Sequence, residues 1–381
     1  MRQKILILTL TLFAVIAVTA KDPGMKKGTP NITSISVLEF NKDGILFIGD
    51  SKGGAIYAVD LDDDEMSSNE EQLSIPDLED KIAGMLGTTA DNVMIHDMAV
   101  NPISQNVYLS VSRGRAKWTS KWETPNDITD ASILIRISPS GKISEASLED
   151  VEYSSVKIPN PVDASIEHRW KKGAKLRSDA ITDIAIDGDK LYITGLSNEE
   201  FRSALWTASF PFTDNVNAST LEIFHGAHGK WETASPVRAF LPYELNNQKQ
   251  MLAAYLCTPL VTIDATKLTA GNHVKGRTVA EFGSGNYPID MVLYQNNGKD
   301  YILMSNSALP LLLFDPQDVA NYDGEITEEV QGYLAGVKYT PRSGNGVQQL
   351  ADFNKKYILS TQRLPNGKLA LTSLSKDWLY P

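Results

Sequence analysis

"ITDIAIDGDKLYITG", residues 181–195, decides the fold. Asp183, Ala185 and Asp187 alternate with Ile184 and Ile186, the period of a strand with two unlike faces. Asp187-Gly188 is a tight-turn signal, and Leu191–Gly195 is a second apolar run that closes on small residues. Together they read as an antiparallel hairpin.

The same unit recurs along the chain. First strands read as "ITSISVLEF" (32–40), "IHDMAVNP" (95–102), "PVRAFLPY" (236–243), "PIDMVLYQ" (288–295) and "VQQLADFN" (347–354). Each precedes another apolar strand, a loop and a third strand, as in "LYITGLSNEEFRSALWTAS" (191–209) and "YILMSNSALPLLLFD" (301–315). A fourth strand follows most units, for example "STLEIFHG" and "RTVAEFG". Four antiparallel strands repeated every ~50–60 residues describe a β-propeller. The expected fold is all-β, a propeller of six blades, with seven as the alternative. The last unit lacks a fourth strand, and "TPNITSI" (29–35) is expected to close the ring by pairing with it. The long step from His96 to Asp183 reads as loops between strands. One helix is expected within 76–89, where Pro76-Asp77 precedes a stripe of Leu78, Ile82, Met85 and Leu86.

The repeat resembles the broad propeller group that includes YVTN-type, NHL-type and quinoprotein amine dehydrogenase-like chains. The resemblance is architectural and implies the fold, not an activity.

Residues 1–20 carry Arg2 and Lys4, an apolar run from Ile5 to Val18 and a Val18-Thr19-Ala20 cleavage pattern, which reads as a signal peptide. The expected localisation is exported, periplasmic or secreted, with residues 21–381 as a single propeller domain. No later run is long enough for stable membrane insertion. A net charge of −11 argues against nucleic acid as a partner. With Cys257 the one cysteine, no intrachain disulfide can form, and stability falls to the core.

Propeller topology puts the start of the first strand, the second-to-third turn and the end of the fourth strand on one rim. Two basic, Trp-bearing stretches map there: Arg113, Arg115, Lys117, Trp118, Lys121 and Trp122, then Arg169, Trp170, Lys171, Lys172, Lys175 and Arg177. They suggest a binding or interaction protein that engages a small anionic ligand or a protein partner through this rim. The alternative is a metal-dependent hydrolase of lactonase or esterase type at the central channel mouth. There Asp97, Asp183 and Asp290 recur in one slot of three first strands, with Asn198, Glu199 and Asn306 at second-strand ends, oxygen donors suited to Ca²⁺. The plainer role of those aspartates is to cap backbone N–H groups between blades.

"HGAHGKWETASPVRAF" (225–240) links the fourth strand of one unit to the first of the next. His225 and His228 sit on a Gly-rich loop, and Cys257 ends the second strand of the following unit, so a His₂Cys site for Zn or Cu is sterically open. Arg238 nearby suits an anion. An electron-transfer role is a third reading, and any redox centre would be borrowed or copper-based, because no haem-attachment motif is present.

Overall fold

The computed structural model describes residues 24–113, 132–169, 174–332 and 334–379. The leader and most of the basic, Trp-bearing stretches, including Trp118, Trp122, Trp170, Lys171 and Lys172, lie outside the described residues. Among the described residues no helix is long and apolar enough to cross a membrane.

The chain forms a six-bladed β-propeller of antiparallel sheets with four to six strands each. The innermost strands are Val37–Phe40, Val93–Val100, Asp183–Asp187, Val237–Leu245, Pro288–Asn296 and Val347–Asp352, called blades 1 to 6 in that order. All six fall on the expected first strands. Helix is sparse, and the expected one spans Leu78–Met85 with Leu78, Ile82 and Ala83 buried.

The order of blades around the ring is not the order of the chain. Inner-strand contacts run 2, 1, 3, 4, 5, 6 and back to 2. Six apolar clusters fill the seams between neighbours. Leu38, Leu46 and Tyr108 join blades 1 and 2, Phe47, Ile184 and Trp206 join 1 and 3, and Ile95, Val107 and Leu359 join 2 and 6. The chain lays Lys26–Gly28, the outermost strand of blade 1, and that blade's three inner strands, then adds Ser74–Ile75 to the outer edge of blade 6, where Ile75 pairs with Leu371. It next builds blade 2 between blades 6 and 1. Only then does Val151–Lys157 return as the fourth strand of blade 1, beside Ala55–Asp60. Two stitches thus lock the ring, one laid before blade 2 and one after it.

Two expectations are corrected. The closing strand is Ser74–Ile75, not residues 29–35. The reason is the fully buried Asp50 carboxylate, which takes the backbone N–H groups of Thr33, Ser34 and Gly53 and both nearby hydroxyls. A buried carboxylate must be satisfied, and doing so pins residues 33–34 to their own blade. The step from His96 to Asp183, expected as loops, contains the fourth strand of blade 1.

The recurrent aspartates tie blades in pairs. Asp97 accepts the N–H of Leu38 at 2.7 Å, Asp183 that of Phe240 at 2.9 Å, and Asp290 that of Leu350 at 2.6 Å. With its other oxygen each takes the N–H of the residue after it, Met98, Ile184 or Met291. The tied pairs are blades 2 and 1, 3 and 4, and 5 and 6, so every blade belongs to one clasp.

Each buried donor left unmet costs about 1–3 kcal/mol. Asp183→Ala should therefore lower unfolding free energy by roughly 2–4 kcal/mol, whereas Asp183→Asn, which keeps one acceptor, should lose less. Urea denaturation measures both. Equal stability of Asp183→Ala and the parent would contradict the clasp.

Candidate functional site

The channel and the rim offer two different environments. A funnel of about 640 Å³ runs up the channel, with Glu39, Asp97, Asp183 and Asp290 in its wall. Asn41, Lys42, Pro102 and Asn354, from first-to-second-strand turns, also line it, so it opens opposite the rim that carries the His loop. The four acids are half-buried in the funnel wall. Burial, the largest influence, and repulsion from Asp97 and Asp290 push Glu39 up to about 8. Burial and neighbouring carboxylates likewise raise Asp97 and Asp183, and burial raises Asp290. The oxygens of the three aspartates are taken up by backbone N–H groups, and the four carboxylates do not converge on one point.

Asn306 is buried and bonds Asn286 and the N–H groups of Ala308 and Leu309. Glu199 is exposed and accepts from Asn160 at 2.6 Å, with exposed Asn198 beside it. The structure does not bring Asn198, Glu199 and Asn306 together with the channel aspartates as a ligand set. Arg238 sits 3.8 Å from Asp179, and its Nε has no hydrogen-bond partner among the described residues. Arg177, from the basic rim, turns inward to the carbonyls of Ser51 and Val162.

The rim over the seam of blades 3 and 4 does gather chemistry. The outer strand Asn217–His225 of blade 3 turns through Gly226–His228 and returns as Lys230–Glu232. His225 pairs with Lys230 across this hairpin. Gly229 makes the turn at φ 61°, in the left-handed region. Gly226 is required by contact, since a Cβ there would lie 2.9 Å from Val330 and 3.2 Å from the Glu281 carboxylate.

From blade 4, the turn between Gln248–Tyr255 and Pro259–Asp264 brings in Cys257. Cys257 (φ 69°) and Thr258 (φ 95°) both occupy positive φ, a costly backbone for a β-branched residue. Glu281, fully buried, holds the two halves together. Its Oε2 accepts the Ala227 N–H of the His loop at 3.1 Å, and its Oε1 meets the Thr258 hydroxyl at 2.6 Å.

The donor atoms of His225, His228 and Cys257 all lie within 4.8 Å of one another, the one such three-residue group among the described residues. The imidazoles are 3.9 Å apart, centre to centre. Glu232 sits behind both. His228 Nδ1 is 2.8 Å from Glu232 Oε1, and His225 Nδ1 is 3.1 Å from Oε2, though not aligned for a hydrogen bond. The Nε2 atoms face Cys257, that of His228 3.8 Å from Sγ and that of His225 2.7 Å from the carbonyl oxygen.

Burial alone would lower the His225 pKa. Its contacts with Cys257 and Glu232 outweigh that and raise it to about 10. Burial would likewise raise Glu232, but its contacts with the two imidazoles bring it down to about 2. His225, His228 and Cys257 were all visible as candidates in the sequence. Glu281 was not, because an alternating strand such as "RTVAEFG" hides an inward carboxylate, and Glu39 was hidden in the same way.

No family model matches the chain, and no curated protein matches it. Among solved structures it is similar to the PQQ-bound aldose sugar dehydrogenase of Streptomyces coelicolor, at 11% identity and a TM-score of 0.37, over 93% of this chain and 99% of that one. It is also similar to virginiamycin B lyase of Staphylococcus aureus, at 12% identity and a TM-score of 0.33, over 92% of this chain and 99% of that one. Neither likeness carries an argument about function, which rests on the site.

The channel acids set a pH test. Glu39 keeps its proton in the fold to about pH 8 but releases it near 4.5 when unfolded, so stability falls as pH rises through that window. Glu39→Gln should therefore melt higher than the parent at pH 8.5, with the gap narrowing as the pH falls and closing only toward pH 4.5. A gap independent of pH would contradict proton uptake by this carboxyl.

Proposed function

We propose that this propeller is a metal-binding protein that holds one transition-metal ion over the seam of blades 3 and 4, through His225, His228 and Cys257. The observation that carries the proposal is the meeting of an imidazole pair from one blade with a thiol from the next, within 4.8 Å. Ligands at about 2.1 Å (N) and 2.3 Å (S) from a tetrahedral ion lie about 3.6 Å apart. The 3.8 Å between His228 Nε2 and Cys257 Sγ is already close to that edge. Glu232 supports the reading as well. Ligating histidines commonly give their second nitrogen to a carboxylate, which fixes ring and tautomer, and here one carboxylate serves both rings. Binding replaces the proton on His225 Nε2 with the ion.

In this reading the protein acts outside the cytoplasm, as the signal peptide implies, and the rim is its working face. The binding-scaffold reading draws on basic residues largely outside the described ones, and the hydrolase reading on channel carboxylates already committed to backbone N–H groups. The His loop needs neither.

Metal analysis of protein loaded with zinc or copper and then desalted tests the proposal. One ion per chain is expected, with Cys257→Ser and His228→Ala each retaining less than a tenth. Loss of the Glu232 support typically costs 10–100-fold in affinity, so Glu232→Gln should weaken binding within that range. Parent protein that keeps no ion, or variants that bind as well as the parent, would overturn it.

A further inference from the structure

We infer that the ion is copper and that the site exchanges single electrons at the rim, an inference that rests on the metal reading above. The donor count carries it. Two imidazole nitrogens and one thiolate converge, and no fourth strong side-chain donor joins them among the described residues. Of the three nearby carboxylates, Glu329 packs against Gly229 without joining the converging group, and the other two are engaged elsewhere. Glu232 faces both histidines, and Glu281 takes the Ala227 and Phe282 N–H groups and the Thr258 hydroxyl. The further oxygen set against these atoms is a backbone carbonyl, that of Cys257 itself, hydrogen-bonded to His225 Nε2 at 2.7 Å and to the Thr258 hydroxyl at 2.6 Å.

A structural zinc site closes with four strong donors, and a catalytic one leaves the fourth place to water. Two imidazoles, one thiolate and a weak neutral oxygen instead make a set that copper accepts in both of its oxidation states. The frame is suited to that exchange. One carboxylate orients both rings, and Glu281 ties the Cys257–Thr258 turn to the His loop, so the ligands need not move when the charge changes. The ring of His228 is 41% exposed, and Trp231, 40% exposed, lies three residues on in the same hairpin. The outer ring therefore gives the ion a short path to a partner at the surface.

The step is a plain electron exchange. Cu(II) takes one electron from a one-electron reductant and becomes Cu(I), then returns it to a one-electron oxidant. The thiolate and both imidazoles stay bound, and no proton or bond is transferred.

The test uses the full mature chain, loaded with one equivalent of Cu(II) or Zn(II). The Cu(II) form should show a strong visible thiolate-to-copper absorption. Ascorbate should bleach it and ferricyanide restore it over repeated cycles, and a tenfold excess of Zn(II) should displace less than half of the copper. The absorption should vanish in Cys257→Ser, whose melting temperature tells ligand loss from unfolding. The parent spectrum decides the matter even if that variant does not fold. Tight, Cys257-dependent zinc binding without the visible absorption, or a single turnover that consumes the thiol, would overturn the copper inference and leave the metal site standing. Retention of neither metal would overturn both.

Discussion

Three carboxylates in the channel wall clasp the six blades into three pairs at the inner edge of the ring. Asp97, Asp183 and Asp290 each reach across a seam to a backbone N–H of the neighbouring inner strand. A propeller concentrates its inner strands around an axis where no sheet ladder joins one blade to the next. Apolar clusters fill the seams further out, but the inner edge needs a directional bond. An aspartate placed every second blade supplies it, since one side chain has two oxygens and can serve its own strand and the next. Burying the carboxylates, and crowding them, is the cost, and the raised pKa of Glu39 and its neighbours expresses it.

The same constraint positions the candidate site. Asp183 belongs to blade 3 and Phe240 to blade 4, so their clasp fixes the two blades that supply His225, His228 and Cys257. Further out, Glu281 repeats the device by joining the His loop to the Cys257 turn. A ligand set divided between blades can be held to tenths of an ångström only if the seam beneath it is rigid. The inner clasp and the outer one together provide that, and the strained turn at Cys257–Thr258 persists because both anchor it.

Much of this was legible in the sequence, and what was not has physical reasons. Strand alternation and turn signals such as Asp187-Gly188 are local, so the six inner strands could be read directly. Which blade lies beside which is set by contacts between faces that look alike, and the placement of blade 1 between blades 2 and 3 leaves no local mark. Ser74–Ile75 closes the ring with two residues, too short for any period to register. Asp50, at the end of an apolar strand, gave no sign that it would draw residues 33–34 away from the closing role. The histidines and the cysteine stood out as residue types, but 32 positions separate His225 from Cys257, and only the folded seam shows that they meet. Glu281 could not be singled out, because its importance lies entirely in what it touches.

The central claim is that the seam of blades 3 and 4 is built to hold an ion. Diffraction from a metal-loaded crystal, recorded at the absorption edge of the metal, tests it most directly. The account predicts one anomalous peak over that seam, bonded to His228 Nε2 and Cys257 Sγ, with His225 completing the set. A peak in the channel among Glu39, Asp97, Asp183 and Asp290, with none at the rim, would contradict it.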